Sequence, residues 1–130
     1  MSIQLQMEQM PGYLAARFTG VGVMGEMSQQ FKSIAERCRL TNNDKLLIDG
    51  TGAEIKITFT SRYIAAKRLR IFLRYGIKVV LVGRPKQFDL GKFARLVAQH
   101  RGLTTEPFTD FQTAEEWLLN LTPRKMTFEM

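Results

Sequence analysis

A chain of 130 residues that is 45% hydrophobic suits one compact core, and its single cysteine, Cys38, and single histidine exclude an internal disulfide and an ordinary zinc site. The net charge of +7 is unevenly placed: Lys56 to Arg101 holds 12 Lys or Arg against one acid, Asp89, while the remainder holds 7 bases and 11 acids. No run approaches the ~18 to 20 apolar residues of a membrane span, and the N-terminal residues lack the charged and apolar parts of a secretion signal, so a cytoplasmic protein is expected.

Ile3, Leu5 and Met7 alternate with Gln4, Gln6 and Glu8, the period of a half-buried strand. Pro11-Gly12 is a turn signal, and Leu14, Ala16 and Phe18 alternate with Tyr13, Ala15 and Arg17, so an antiparallel hairpin opens the chain. A Gly-rich link, Gly20 to Gly25, leads to a helix from about Glu26 to Arg39 with the buried stripe Met27, Phe31, Ile34, Ala35 and Cys38. That stripe makes Cys38 a buried thiol rather than a nucleophile. Thr41-Asn42-Asn43-Asp44 ends the helix, and Lys45 to Asp49 is a short buried strand closed by Gly50-Thr51-Gly52. Ala53 to Thr60 reads as a loop, with an extended segment as the alternative.

The central helix runs from Tyr63 to Tyr75. Ala66, Leu69, Phe72 and Leu73 share its core face, Lys67, Arg70 and Arg74 form a cationic face opposite, and Thr60 or Ser61 caps its start. Gly76 stops the helix, and Lys78 to Val82 is too apolar for a strand with a wet face, which implies a parallel crossover unit. A helix over about 90–101 with Asp89 as its cap, an edge strand within Leu103 to Thr109 demoted by Pro107, and a last helix after Thr113 bearing Ala114, Trp117 and Leu118 complete a domain of residues 1–121. Residues 122–130 form a tail. The order β-β-α-β-α-β-α-β-α predicts an α/β fold: a mostly parallel sheet with an antiparallel start and helices packed against it.

With these elements in order, the chain resembles a STAS domain, and more narrowly the SpoIIAA-like (STAS/SEC14-like) bacterial proteins. The resemblance rests on Lys45-Leu46-Leu47-Ile48-Asp49, Phe59-Thr60-Ser61-Arg62-Tyr63, Ile77 to Gly83, His100 to Leu103, Pro107 to Asp110 and Ala114 to Leu118. It implies a regulatory or ligand-sensing module rather than a catalyst. In antagonist-type STAS domains a phosphorylatable Ser or Thr opens the central helix in an Asp-Ser-Ser-Gly-like tetrad, which falls here on Phe59 to Arg62. Thr60 and Ser61 keep the hydroxyls, Phe59 replaces the acid and Arg62 the glycine. A phosphate there would meet the helix-start amides and Arg62, and the plainer role of the hydroxyls is to cap the helix.

Gly20-Val21-Gly22-Val23-Met24-Gly25 fits G-x-G-x-x-G, the dinucleotide fingerprint. Against it stand the alternating strand before it, which carries Arg17, and a spacing to Asp49 longer than the usual ~20 residues. No cofactor and no metal are expected. Ligands of open α/β sheets gather beyond the carboxyl ends of the strands, so the predicted site comprises Asp49, Gly50, Thr51, Thr60, Ser61, Arg62 and Arg84. The expected function is non-catalytic: binding of a regulatory protein or of a small anionic or lipid-like ligand. The alternatives are nucleic acid on the Lys67, Arg70, Arg74 face and a dinucleotide at Gly20, Gly22 and Gly25. Ile64, Ile71 and Tyr75 form a second apolar stripe on the central helix, which suggests a homodimer contact.

Overall fold

A computed structural model of the chain describes residues 2–56, 60, 64, 67–84 and 105–120. The expected helix over 90–101 with its Asp89 cap and the tail 122–130 lie outside them, as do Ser61, Arg62 and Ala66. Strands β1 (Gln4–Met10) and β2 (Tyr13–Val23) form the predicted hairpin, in unbroken antiparallel register from Gln4↔Thr19 to Met10↔Tyr13. β3 (Lys45–Lys56), β4 (Lys78–Val82) and β5 (Thr105–Phe108) follow in parallel, giving the five-stranded order β1-β2-β3-β4-β5. The predicted pairing of the two apolar strands holds residue for residue, from Lys45↔Lys78 to Asp49↔Val82, and β5 occupies the expected edge.

Consecutive parallel strands that are also neighbours in space, joined by crossovers of the usual right hand, send their connecting helices to one face. Helices α1 (Met24–Ser28), α2 (Phe31–Leu40) and α3 (Arg70–Arg74) accordingly share a core with Leu14, Ala16, Phe18, Leu46, Ile48, Val79 and Leu81. The last helix, α4 (Phe111–Leu119), covers the other face, where Ala114 and Leu118 meet Tyr13, Ala15, Leu47, Val80 and Val82. β2 is therefore buried on both sides from Tyr13 to Ala16, while Thr19, Val21 and Val23 further along are exposed. α4 begins at Phe111, ahead of the predicted start after Thr113, and the Asp110 carboxylate caps it: it accepts from the Thr113 amide at 2.8 Å and hydroxyl at 2.7 Å, and these bonds hold its carboxyl below the usual carboxylate range.

Three expectations need correction. The stretch Gly20 to Gly25 is not a link: β2 runs through it to Val23, and Gly20 and Gly22 pair with Ala53 and Ile55 of β3. These glycines make room for the start of the chain. Gly20 sits at φ +99°, where a Cβ would lie 2.5 Å from the Ser2 carbonyl oxygen, and a Cβ on Gly22 would run into Ile3 and the Glu26 carboxylate.

Gly50-Thr51-Gly52, likewise, does not end β3. The register jumps from Arg17↔Asp49 to Thr19↔Gly52, so β3 carries one extra residue in a β-bulge and continues to Lys56 where a loop was expected. The bulge resets the strand's parity: Ile48 before it and Ala53 and Ile55 after it all reach the α1–α3 core.

Finally, the single helix expected from Glu26 is two, α1 and α2, although the backbone stays right-handed through Gln29 (φ −64°, ψ −21°) and Gln30 (φ −82°, ψ −8°). Its end is as predicted. Asn42 at φ 60° follows the C-cap, with the Asn43 amide donating to the Cys38 carbonyl at 2.8 Å, and Gly76 at φ 69° closes α3 in the same way through Ile77 to Phe72 at 2.8 Å.

Burial pushes the Cys38 thiol up to about 12 from an ordinary 9.0. Burial, and then the hydrogen bond that the Tyr13 hydroxyl donates to Glu115 Oε2 at 2.7 Å, raise Tyr13 as well. Both groups keep their protons when folded at pH values where the unfolded chain has lost them, so stability falls as pH rises. For Cys38 the window opens near 9.0 and closes near 12. The slope there is at most ~1.4 kcal/mol per pH unit. Melting temperatures taken across that window are expected to fall less steeply for Cys38→Ala than for the parent chain, and parallel curves would refute the assignment.

Candidate functional site

Of the residues predicted to form one site, Asp49, Gly50 and Thr51 sit in the β3 bulge and Arg84 reaches β3 from just past β4, while Ser61 and Arg62 lie outside the described residues. Asp49 projects to the α4 face with Leu47, where its Oδ1 accepts from the Thr51 amide at 2.9 Å and hydroxyl at 2.7 Å, and its Oδ2 lies 3.8 Å from Arg17 Nε. Arg17 in turn meets Glu8 at 3.2 Å and stands 5.4 Å over the Phe111 ring. The Asp49 side chain is only 14% exposed. Its bonds lock the bulge, a structural role. Gly50 is buried within that bulge. Arg84 Nη2 donates to the Ala53 carbonyl at 2.8 Å and ties the end of β4 to β3. Thr60 is exposed with helical backbone.

What the structure does assemble is a groove on the α1–α3 face, of about 750 Å³, between the α1–α2 bend and the central helix. Ser28, Gln29, Phe31 and Lys32 line one side; Lys67, Arg68, Arg70, Ile71, Leu73 and Arg74 line the other. The predicted basic residues Lys67, Arg70 and Arg74 are all exposed on it, and they are joined by Lys32 and Arg68. Among the described lining residues there is no carboxylate. Ile71 provides partly buried apolar surface, and Leu73, expected in the core, is instead 40% exposed at the groove, with the buried Phe31 beneath. Five cations around an apolar strip attract a partner that carries both acidic and apolar groups.

Local chemistry explains the groove's shape. Ser28 is buried, and its hydroxyl donates to the Gly25 carbonyl at 3.1 Å, competing with the helical ladder where α1 gives way to α2. Arg68 Nη1 donates to the same carbonyl at 2.9 Å and to Ser28 Oγ at 2.7 Å. A half-buried guanidinium thus clasps the bend to the central helix. Arg68→Met keeps the aliphatic bulk and loses both bonds. It is expected to cost about 1–2 kcal/mol in chemical denaturation, since bonds to charged groups contribute ~1.5–3 kcal/mol when shielded. A change below ~0.3 kcal/mol would show the clasp to be idle.

Arg68 escaped notice because it sits in the stripe Ile64, Ile71, Tyr75, which reads as apolar by spacing. Within that stripe Ile71 packs against the core, and Arg39 stands 5.5 Å over the Tyr75 ring, which is 38% exposed. Lys32 follows the buried Phe31 and offered no signal that α2 would face the central helix. The Gly20, Gly22 and Gly25 fingerprint forms no turn between strand and helix start, the geometry a pyrophosphate requires. No group of three or more His, Cys, Asp or Glu among the described residues could hold a metal ion. No helix among them is long and apolar enough to cross a membrane.

The sequence matches no protein-family model and no curated protein. Solved structures do match. An uncharacterized protein of the DUF3478 family with a SpoIIAA-like fold, from Shewanella loihica PV-4, is 21% identical with a TM-score of 0.54, over 90% of this chain and 93% of that one. An anti-sigma factor antagonist from Mycobacterium paratuberculosis is 14% identical with a TM-score of 0.57, over 90% of this chain and 94% of that one. Both matches cover 90% of this chain, and the chain therefore has a SpoIIAA-like fold.

Proposed function

We propose that this chain is a non-catalytic, cytoplasmic regulatory module that works by docking an acidic, amphipathic segment of a partner protein into the groove between α2 and the central helix. The observation that carries the reading is the gathering of Lys32, Lys67, Arg68, Arg70 and Arg74 around Ile71 and Leu73. A fold shared with an anti-sigma factor antagonist, a protein named for regulating another protein, supports it. A protein segment suits the groove better than a nucleic acid does, because the cations flank an apolar strip that phosphates would leave uncovered.

The test is a fluorescence-anisotropy titration with three probes: a Glu/Leu amphipathic helical peptide, a duplex DNA and anionic phospholipid vesicles. The peptide is expected to bind at about 1–100 µM and to weaken as salt rises. No peptide binding at low salt, or tighter binding of DNA or vesicles, would overturn the reading. The phospho-switch expected at Thr60 and Ser61 is a separate matter, to be examined by phosphate mapping after kinase treatment.

A further inference from the structure

The two edges of the sheet differ in a way that the groove does not explain. β5 is four residues long and carries Pro107, which removes a main-chain donor and blunts that edge. β1 is seven residues long, pairs with β2 without a bulge, and contains neither Pro nor Lys. Its other side faces no strand among those described.

The turn Pro11-Gly12 makes Met10↔Tyr13 the closing, hydrogen-bonded pair of the hairpin. Alternation then turns the main-chain amides and carbonyls of Leu5, Met7 and Gln9 outward, away from β2. Groups that no described strand pairs, on an edge of this length, are a template for another strand.

We propose that β1 pairs antiparallel with β1 of a second copy about a two-fold axis at Met7, joining two five-stranded sheets into one. The strand's own pattern selects that occupant. Centring the axis on Met7 overlaps all seven residues, sets Met7 against its counterpart, and matches the outward groups of Leu5 with those of Gln9 in about six hydrogen bonds. On the α1–α3 face Met7, already packed against the core, meets Met7 of the other copy, with each Leu5 beside it and against a Gln9. On the opposite face Gln6 falls against Glu8 of the other copy, an amide against a carboxylate. The two Glu8 side chains are not opposed, and each keeps its own Arg17 at 3.2 Å.

Sedimentation velocity and light scattering on the full chain test this independently of any groove ligand. A species of twice 14.9 kDa is expected. It should be populated at up to about 100 µM, as micromolar affinity requires. Met7→Pro removes an outward amide and no bond to β2, so a folded monomer by circular dichroism and light scattering is expected. Gln6→Glu places like charges opposite each other and should weaken the dimer about tenfold at low salt without touching the core, which decides the matter if Met7→Pro does not fold. A parent chain that stays monomeric, or a dimer unmoved by Gln6→Glu, would overturn the proposal.

Discussion

Reversing two charges at once, Arg70→Glu with Arg74→Glu, is expected to weaken binding of the acidic amphipathic peptide by about 30- to 100-fold at low salt while leaving the fold unchanged. Both guanidinium groups are exposed on the groove, so replacing them removes no core contact. Each exposed ion pair contributes only ~0.2–1 kcal/mol, but reversal substitutes repulsion for attraction at two sites, which amounts to about 2–3 kcal/mol. The effect should fade as salt rises, because screening weakens attraction in the parent and repulsion in the variant alike. Unfolding free energy should stay within ~0.5 kcal/mol of the parent. Equal affinity of variant and parent at low salt would remove the groove from the function.

Phe72→Ala is expected to produce the largest loss of stability, about 3–5 kcal/mol in urea or guanidinium unfolding. Phe72 is fully buried, and its ring lies 5.5 Å from that of Phe31 at 52°, so it joins the central helix both to the sheet and to α2. Truncation removes the ring's burial and leaves a cavity that sheet and helix cannot both close over. Small domains have only ~5–15 kcal/mol to lose, so the variant should be marginal at 37 °C and should lose groove binding as a consequence. The denaturation midpoint should fall with little change in slope. A loss below ~1 kcal/mol would mean that Phe72 is not the junction the geometry describes.

The two experiments separate recognition from architecture, since the first variant alters binding without stability and the second alters binding through stability. They also probe residues of different legibility. Phe72 is plain from helical spacing, and so is the exposure of Arg70 and Arg74. Leu73 is not: spacing puts it with Phe72, but α3 is a short final turn whose rim faces solvent. Arg68 lies in a stripe otherwise apolar, and nothing near it in the chain announces that its partners are Gly25 and Ser28, about forty residues earlier.

Asp49 shows how far local pattern reaches. Its place at the end of an apolar run is readable, but the face it takes depends on parity, and parity beyond it depends on a bulge that only the pairing with β2 creates. Gly20 and Gly22 show the converse. A motif complete in spacing belongs to a paired strand, because glycine permits many conformations and the partner strand and the first residues of the chain select one.

Periodicity and punctuation within some ten residues were enough for the hairpin, the two buried parallel strands, the helix end at Thr41-Asn42-Asn43-Asp44, the stop at Gly76 and the burial of Cys38, since each expresses a local choice. The groove, the Arg68 clasp, the bulge at Gly50-Thr51 and the place of β1 at the sheet edge among the described strands came from folding. They arise where crossover connections bring distant segments side by side, and the energy of such contacts is written in no single stretch of the chain.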